Sequence, residues 1–154
     1  MSVSGKLRQI IDGDPRLMVR TRRITISSVQ VLALRATPKV LVTAQGAGRL
    51  IQLLPSVLEI NPGTVAYTET ADNLAVKYTD GSGVAVSQTI EMTSFITRTA
   101  RGFTSIQPLV DGIVADSGAL NQALVLHNTG DGEFGGGGNG TLTVWLAYRV
   151  WDLN

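Results

Sequence analysis

Apolar and polar residues alternate with a period of two along most of the chain beyond residue 23, which is the spacing of β-strands. The longest such run is GTLTVWLAYRVWDLN, residues 140–154. Its even-numbered positions from Leu142 to Val150 share one face, and Trp145 and Trp151 lie on the other. Because both faces carry large apolar groups, we predict a closing strand covered on one face by its own core. A second sheet or a sister subunit covers the other face, so Trp145, Tyr148 and Trp151 are predicted to pack in the core or at a subunit interface.

Shorter strand-like runs precede this one at spacings of about ten residues, separated by turn signals. The run Ile24–Leu34 is interpreted as a strand with an irregularity at Ser27-Ser28. Pro55 cannot donate a ladder hydrogen bond, so Arg49–Ile60 is either two strands or one strand with a bulge or edge there. The Asp80-Gly81 pair between two apolar runs predicts a hairpin. A second hairpin is predicted from residues 123–129 and 141–151, with the glycine-rich segment 130–140 as its flexible tip.

These elements predict an all-β domain, an antiparallel β-sandwich or jelly-roll-like barrel of about 8–10 strands. Residues 24–154 are predicted to form this single domain. Residues 1–23, which are basic and interrupted by glycine and proline, are predicted to be an extended N-terminal arm.

The composition is that of a folded domain with little free surface charge. Of the 154 residues, 44% are hydrophobic and 16% are charged, which is unlike a disordered chain and suggests that part of the surface is buried in partners. No apolar run approaches the roughly 18 residues of a membrane span. The N-terminus lacks the pattern of a signal peptide, so we expect folding in the cytoplasm. The absence of cysteine excludes disulfides and thiolate sites.

Charge is divided unevenly along the chain. Residues 1–49 hold nine basic and two acidic residues (net +7), and the remainder holds four basic and ten acidic residues (net −6). This asymmetry predicts a basic end that meets an acidic protein surface or a sister subunit. A nucleic-acid partner is not expected, because no aromatic residue precedes Tyr67 to provide a stacking platform. The predicted arm contacts are Arg16, Arg20, Arg22 and Arg23, as donors to acidic residues.

The residues needed for catalysis are sparse. His127 is the single histidine, and a lone histidine on a strand is more often structural than catalytic. The acids Glu59, Glu69, Asp72 and Glu91 offer carboxylate pairs of the kind glycosidases use, but the signal selects none of them. The glycine pair at 46–48 lacks a Walker lysine, and segment 130–140 lacks the tandem copies of calcium repeats. We therefore expect a protein that is not an enzyme and has no catalytic residue, cofactor or metal.

Three segments carry a resemblance to a protein family. They are VLALRATPKVLVTAQGAGRLIQLLPSVLEINPGTVAYT, LAVKYTDGSG and QALVLHNTGDGEFGGGGNGTLTVWLAYRVW, within residues 29–151. In order and composition they resemble the capsid cement or decoration proteins of tailed bacteriophages, small head structural proteins. The resemblance implies a β-rich homotrimer on the capsid exterior of the virion that binds the major capsid protein and stabilises the assembled head. From the residues themselves we expect no nucleic-acid or membrane partner.

The sequence leaves two other functions open. The first is a small tail or head-fibre protein that binds a host receptor or glycan, with Tyr67, Tyr78 and the segment 130–140 as candidate contacts. The second, weaker possibility is a polysaccharide depolymerase, for which no residue set argues.

Overall fold

The computed structural model describes residues 18–110 and 115–154, and eight strands within them form two antiparallel four-stranded sheets. The prediction of an all-β antiparallel sandwich is confirmed. In chain order the elements are β1 (Arg20–Ile26), α1 (Ser28–Val31), β2 (Lys39–Val42), β3 (Arg49–Asn61), β4 (Asn73–Tyr78), β5 (Ile90–Glu91), β6 (Gly102–Ile106), α2 (Asp116–Ala119), β7 (Leu124–Asn128) and β8 (Thr141–Asp152).

The strand order is that of a jelly roll. Sheet A runs β1-β8-β3-β6 and sheet B runs β2-β7-β4-β5. The first strand pairs with the last, the second with the seventh, the third with the sixth and the fourth with the fifth. This is the arrangement obtained when one long antiparallel hairpin is rolled into two facing sheets. The apolar core lies between the sheets, with residues such as Leu58, Leu126 and Val144 fully buried.

The rolled topology corrects one predicted hairpin. Strands β7 and β8 lie in different sheets, so they do not pair, and residues 130–140 cross between the sheets. Segment 130–140 is also packed onto the domain: Phe134 is buried in the core, and Gly135 exchanges two backbone hydrogen bonds with Thr68. The interpretation of this segment as a free hairpin tip is therefore wrong.

The hairpin at Asp80-Gly81 is present. The amide of Tyr78 donates to the carbonyl of Val84 over 2.9 Å, and the amide of Val86 donates to the carbonyl of Val76 over 2.8 Å. The segment after the turn thus returns antiparallel along β4 before the chain reaches β5.

Pro55 is accommodated by a bulge within the single strand β3. The register against β8 shifts between Leu54 and Val57. The hydroxyl of Ser56 donates to the carbonyl of Leu54 over 2.8 Å and accepts from the amide of Ala147 over 2.9 Å. A side chain thus supplies hydrogen bonds where the ladder is interrupted, so β3 continues for 13 residues.

The N-terminal boundaries differ from the prediction at two points. Strand β1 begins at Arg20, so residues 20–23 belong to sheet A and not to an arm. The predicted strand over 24–34 is broken after Ile26, because Ser27 and Gln30 form a reciprocal capping box that starts α1. Residues 1–17, including Arg16 of the predicted arm, lie outside the described residues.

Candidate functional site

The outward face of sheet A exposes large apolar side chains. Along β8 the even-numbered residues from Leu142 to Val150 point into the core, so Trp145 points outward. Trp145 is 43% exposed, and Val57, its register neighbour on β3, is 38% exposed. Phe103 on β6 is 58% exposed. Three neighbouring strands therefore present apolar groups to solvent on one rigid face.

A buried carboxylate lies among these residues. The side chain of Glu59 on β3 is only 3% exposed, although it is on the outward face between Thr143 and Phe103 in the register. One of its oxygens accepts a hydrogen bond from Nε of Arg101, and the other accepts from Nε1 of Trp145 over 2.7 Å. Both oxygens of the carboxylate are thus engaged, as a buried charge requires.

Two guanidinium groups stack on the exposed rings. Cζ of Arg23 on β1 lies 5.0 Å from the centroid of the Trp145 ring, and Cζ of Arg101 lies 4.9 Å from that of Phe103. Both distances are in the range of cation–π contacts. We call Arg23, Trp145, Glu59, Arg101 and Phe103 the Glu59 cluster. Its members come from all four strands of sheet A and from the residue preceding β6, so the cluster crosses the whole sheet.

The electrostatics keep Glu59 ionised. The hydrogen bond from Arg101, and after it the hydrogen bond from Trp145, lower the pKa of Glu59 below 4.5, against the opposing effect of burial. Because the charged form is fixed by two donors, Trp145 and Arg101 are held in place without a bound ligand. The cluster is therefore held in a fixed arrangement, and its carboxylate is shielded from solvent.

The predicted arm residues separate into two groups. Arg23 belongs to the Glu59 cluster. Arg20 and Arg22 point the other way, towards the second sheet: Nη1 of Arg22 donates to the carbonyl of Leu41 over 3.1 Å, and Nη1 of Arg20 donates to the side chain of Gln45 over 3.4 Å. These two arginines connect the sandwich edge near β1 and β2.

The predicted packing residues of β8 also differ in position. Tyr148 is in the core, whereas Trp145 and Trp151 face outward. Trp151 is half-buried and donates from Nε1 to the side chain of Gln52 over 2.8 Å. It lines an open apolar groove with Leu50 and Leu153.

The tyrosines suggested as glycan contacts are not at the surface. The hydroxyl of Tyr67 donates to the carbonyl of Gly140 over 2.6 Å, and that of Tyr78 donates to the carbonyl of Ile51 over 2.6 Å. Burial raises the pKa of each tyrosine to about 12. Their assignment as contact residues is wrong, because both side chains support the core.

His127 points outward from sheet B and is covered by the turn at Gly81. Burial, and then the nearby charge of Lys77, lower its pKa below 6.5. Nδ1 of His127 has no hydrogen-bond partner within the described residues.

The four carboxylates considered for glycosidase chemistry do not all lie on one sheet. Glu59 is held on sheet A, Glu91 is on β5, and Glu69 and Asp72 accept hydrogen bonds from backbone amides in the loop between β3 and β4. Among residues 18–110 and 115–154 no three His, Asp or Glu side chains come together as a potential metal site. Neither short helix in that part of the chain is long enough to cross a membrane.

The sequence pattern indicates Arg23 and Trp145 but not the groups that join them. It offers Glu59 only as one of several acids, and it does not single out Arg101 or Phe103. A signal for Glu59 was present: it is a charged residue between Leu58 and Ile60 in an apolar strand, where an unpaired charge would be costly. Arg101 could not be paired with it, because the β3–β6 pairing is a property of the topology.

No protein-family model matches the chain, and no curated protein is significantly similar to it.

Proposed function

We propose that the chain is a structural protein of a tailed-bacteriophage virion, a capsid cement or decoration protein that binds the major capsid protein on the outside of the head. The observation that carries the proposal is the outward face of sheet A, with the preorganised Glu59 cluster at its centre. Exposed tryptophan, phenylalanine and arginine are the side chains enriched in protein-binding surfaces. The resemblance of residues 29–151 to phage decoration proteins supplies the class of partner.

The jelly roll is compatible with this function without proving it. The same architecture serves capsid proteins, lectins and cupins, so the fold alone does not choose between them. The satisfied Glu59 carboxylate argues for a rigid contact surface. A protein that binds only assembled shells stabilises them by mass action, which is the physical basis of cementing.

A small tail or head-fibre protein that binds a glycan is the second candidate. Trp145 favours it, because a half-exposed indole on a lectin-type scaffold can stack on a sugar ring. Against it, the Glu59 side chain beside that ring is only 3% exposed and already accepts hydrogen bonds from Arg101 and Trp145, so sugar hydroxyls do not reach it. Labelling of virions separates the two candidates: label confined to the tail contradicts the cement function.

The direct test is binding to shells assembled from the major capsid protein of the same virus. We expect saturable co-sedimentation of the chain with intact shells, little binding to unassembled capsid protein, and a higher temperature of shell disruption when the chain is bound. Light scattering of the free chain measures the expected homotrimer. Absence of co-sedimentation at saturating concentration contradicts the proposed function.

A further inference from the structure

The outward face of sheet A has an excess of positive charge. The charged side chains on it are Arg23, Arg101, Arg149 and Glu59, as the strand register and the contacts of the cluster place them. Glu59 is buried and bonded to Arg101, so it presents no accessible negative group. Within residues 18–110 and 115–154, a surface that docks here meets guanidinium groups and no free carboxylate.

The arginines are placed around apolar anchors. Arg23 lies over Trp145 and Arg101 lies over Phe103. Stacking holds each guanidinium plane while its N–H groups stay free to bond a carboxylate on the opposite surface. This pairing of an aromatic centre with arginine donors is the composition of binding hot spots.

The size of the face suits a protein and not a small ligand. The four strands of sheet A hold 7, 12, 13 and 5 residues, and at about 3.3 Å per residue and about 4.8 Å between strands they span on the order of 600 Å². A standard protein interface buries roughly 800 Å² on each partner. The face is thus close to one side of a stable protein–protein contact.

A second copy packed face to face is disfavoured. In a two-fold contact each surface patch meets itself, which would bring Arg23 and Arg101 of the two copies together with no exposed carboxylate between them. Like charges placed opposite each other across an interface oppose association.

We infer that the partner surface docked on this face is acidic, with apolar groups that fit over Trp145 and Phe103 and carboxylates that bond Arg23 and Arg101. The inference rests on the proposed function, since it names the kind of capsid surface that the chain recognises. Glu59 acts as a positioning residue, because it holds Trp145 and Arg101 and is itself shielded from the partner.

The test is co-sedimentation of the full chain with assembled shells of the same virus, at several salt concentrations. Arg23→Glu and Trp145→Ala are each expected to weaken binding at least about tenfold. Lys39→Glu, which makes the same charge change on β2 of the other sheet, is the matched control, and we expect less than about a twofold effect. Wild-type affinity should fall as salt rises from about 50 to about 300 mM, and that of Arg23→Glu should fall less steeply.

Thermal unfolding of each variant shows whether it is folded. If Trp145→Ala does not fold, Arg23→Lys takes its place, because it keeps the positive charge but removes the planar guanidinium that stacks on Trp145. If the wild-type chain does not co-sediment with shells, the proposed function itself is contradicted. Wild type that binds, with Arg23→Glu and Trp145→Ala binding as well as Lys39→Glu, overturns the inference alone. Tighter binding by Arg23→Glu, or a change in the free chain's molar mass with unchanged shell binding, also overturns it, because the face would then take a basic partner or a second copy.

Discussion

Sheet A leaves its outward face open to solvent, whereas the chain folds over part of the outward face of sheet B. On sheet A, Trp145, Val57 and Phe103 are exposed; on sheet B, Val125 is 2% exposed and His127 is 9% exposed. The turn at Gly81 lies against the His127 ring, and Nζ of Lys77 donates to the carbonyl of Gly81 over 2.6 Å. On the open face the groups around Glu59 are hydrogen-bonded. Within the described residues each face also holds one buried nitrogen without a hydrogen-bond partner, Nε of Arg149 on sheet A and Nδ1 of His127 on sheet B.

The outward faces of the two sheets differ in what they contribute to folding stability. Burial of apolar side chains on sheet B stabilises the isolated chain. On sheet A the comparable groups remain in water, so their contribution to folding is small and they are available for a contact. Substitutions on the two faces should therefore affect different measurements.

The largest expected effect on stability is at the closed face. A Cβ atom added at Gly81 would lie 2.6 Å from Nε2 of His127, so Gly81→Ala must displace either the turn or the ring. We expect the free energy of unfolding to fall by about 2 to 3 kcal/mol, measured by urea denaturation. Gly132→Ala is the control, because a Cβ there meets nothing within 4 Å, and it should be nearly neutral. Equal effects at the two glycines would show that the Gly81 turn does not close sheet B.

The same substitution on each sheet compares the two faces directly. Val125→Ala on β7 removes two buried methyl groups and should lower the free energy of unfolding by about 2 kcal/mol. Val57→Ala on β3 removes groups that solvent already reaches and should cost less than about 0.5 kcal/mol. Urea denaturation of the two variants under one condition measures both losses of unfolding free energy, and their ratio compares the two faces. A cost at Val57 as large as that at Val125 would mean that the outward face of sheet A is not open in solution.

The sequence predicts features that depend on neighbouring residues better than features that depend on residues far apart in the chain. The two faces of β8 follow from alternation alone, and the turn at Asp80-Gly81 follows from local backbone preference. The capping box at Ser27 and Gln30 was also a local signal, although the apolar run around it favoured a strand. The hydrogen bonds between Ser27 and Gln30 start α1, and β1 therefore ends at Ile26.

The candidate site depended on pairing that no local pattern encodes. Strands β7 and β8 are consecutive in the chain, and a hairpin is the usual expectation for neighbours, but the jelly roll places them in opposite sheets. Glu59 and Arg101 are 42 residues apart in sequence and meet only because β3 pairs with β6. The sequence therefore identified Trp145 and Arg23 as residues of interest, and the topology determined that they share a face with Glu59.

The smallest expected effect is a difference in pH dependence between the faces. Burial lowers the pKa of His127 below 6.5 in the folded chain, so the unfolded chain binds this proton first as the pH falls. The stability that neutral His127 contributes on sheet B is therefore lost as the pH falls through and below 6.5. The hydrogen bonds to Glu59 lower its pKa below 4.5, so stability contributed on sheet A is retained until the pH falls below that value.

Two variants test which residue is responsible for the loss of stability in each pH range. His127→Asn should flatten the loss of stability between about pH 7 and about pH 5, and Glu59→Gln should flatten the loss below about pH 4.5; both are measured as unfolding free energies across the pH range. Glu91→Gln is the control for the second, because Glu91 is exposed at its position on β5. If Glu59→Gln alters the upper window, or leaves the lower one as steep as Glu91→Gln does, the two hydrogen bonds do not hold the charge of Glu59 on the open face. The Arg101 and Trp145 side chains would then not be held in place by Glu59 before a partner binds.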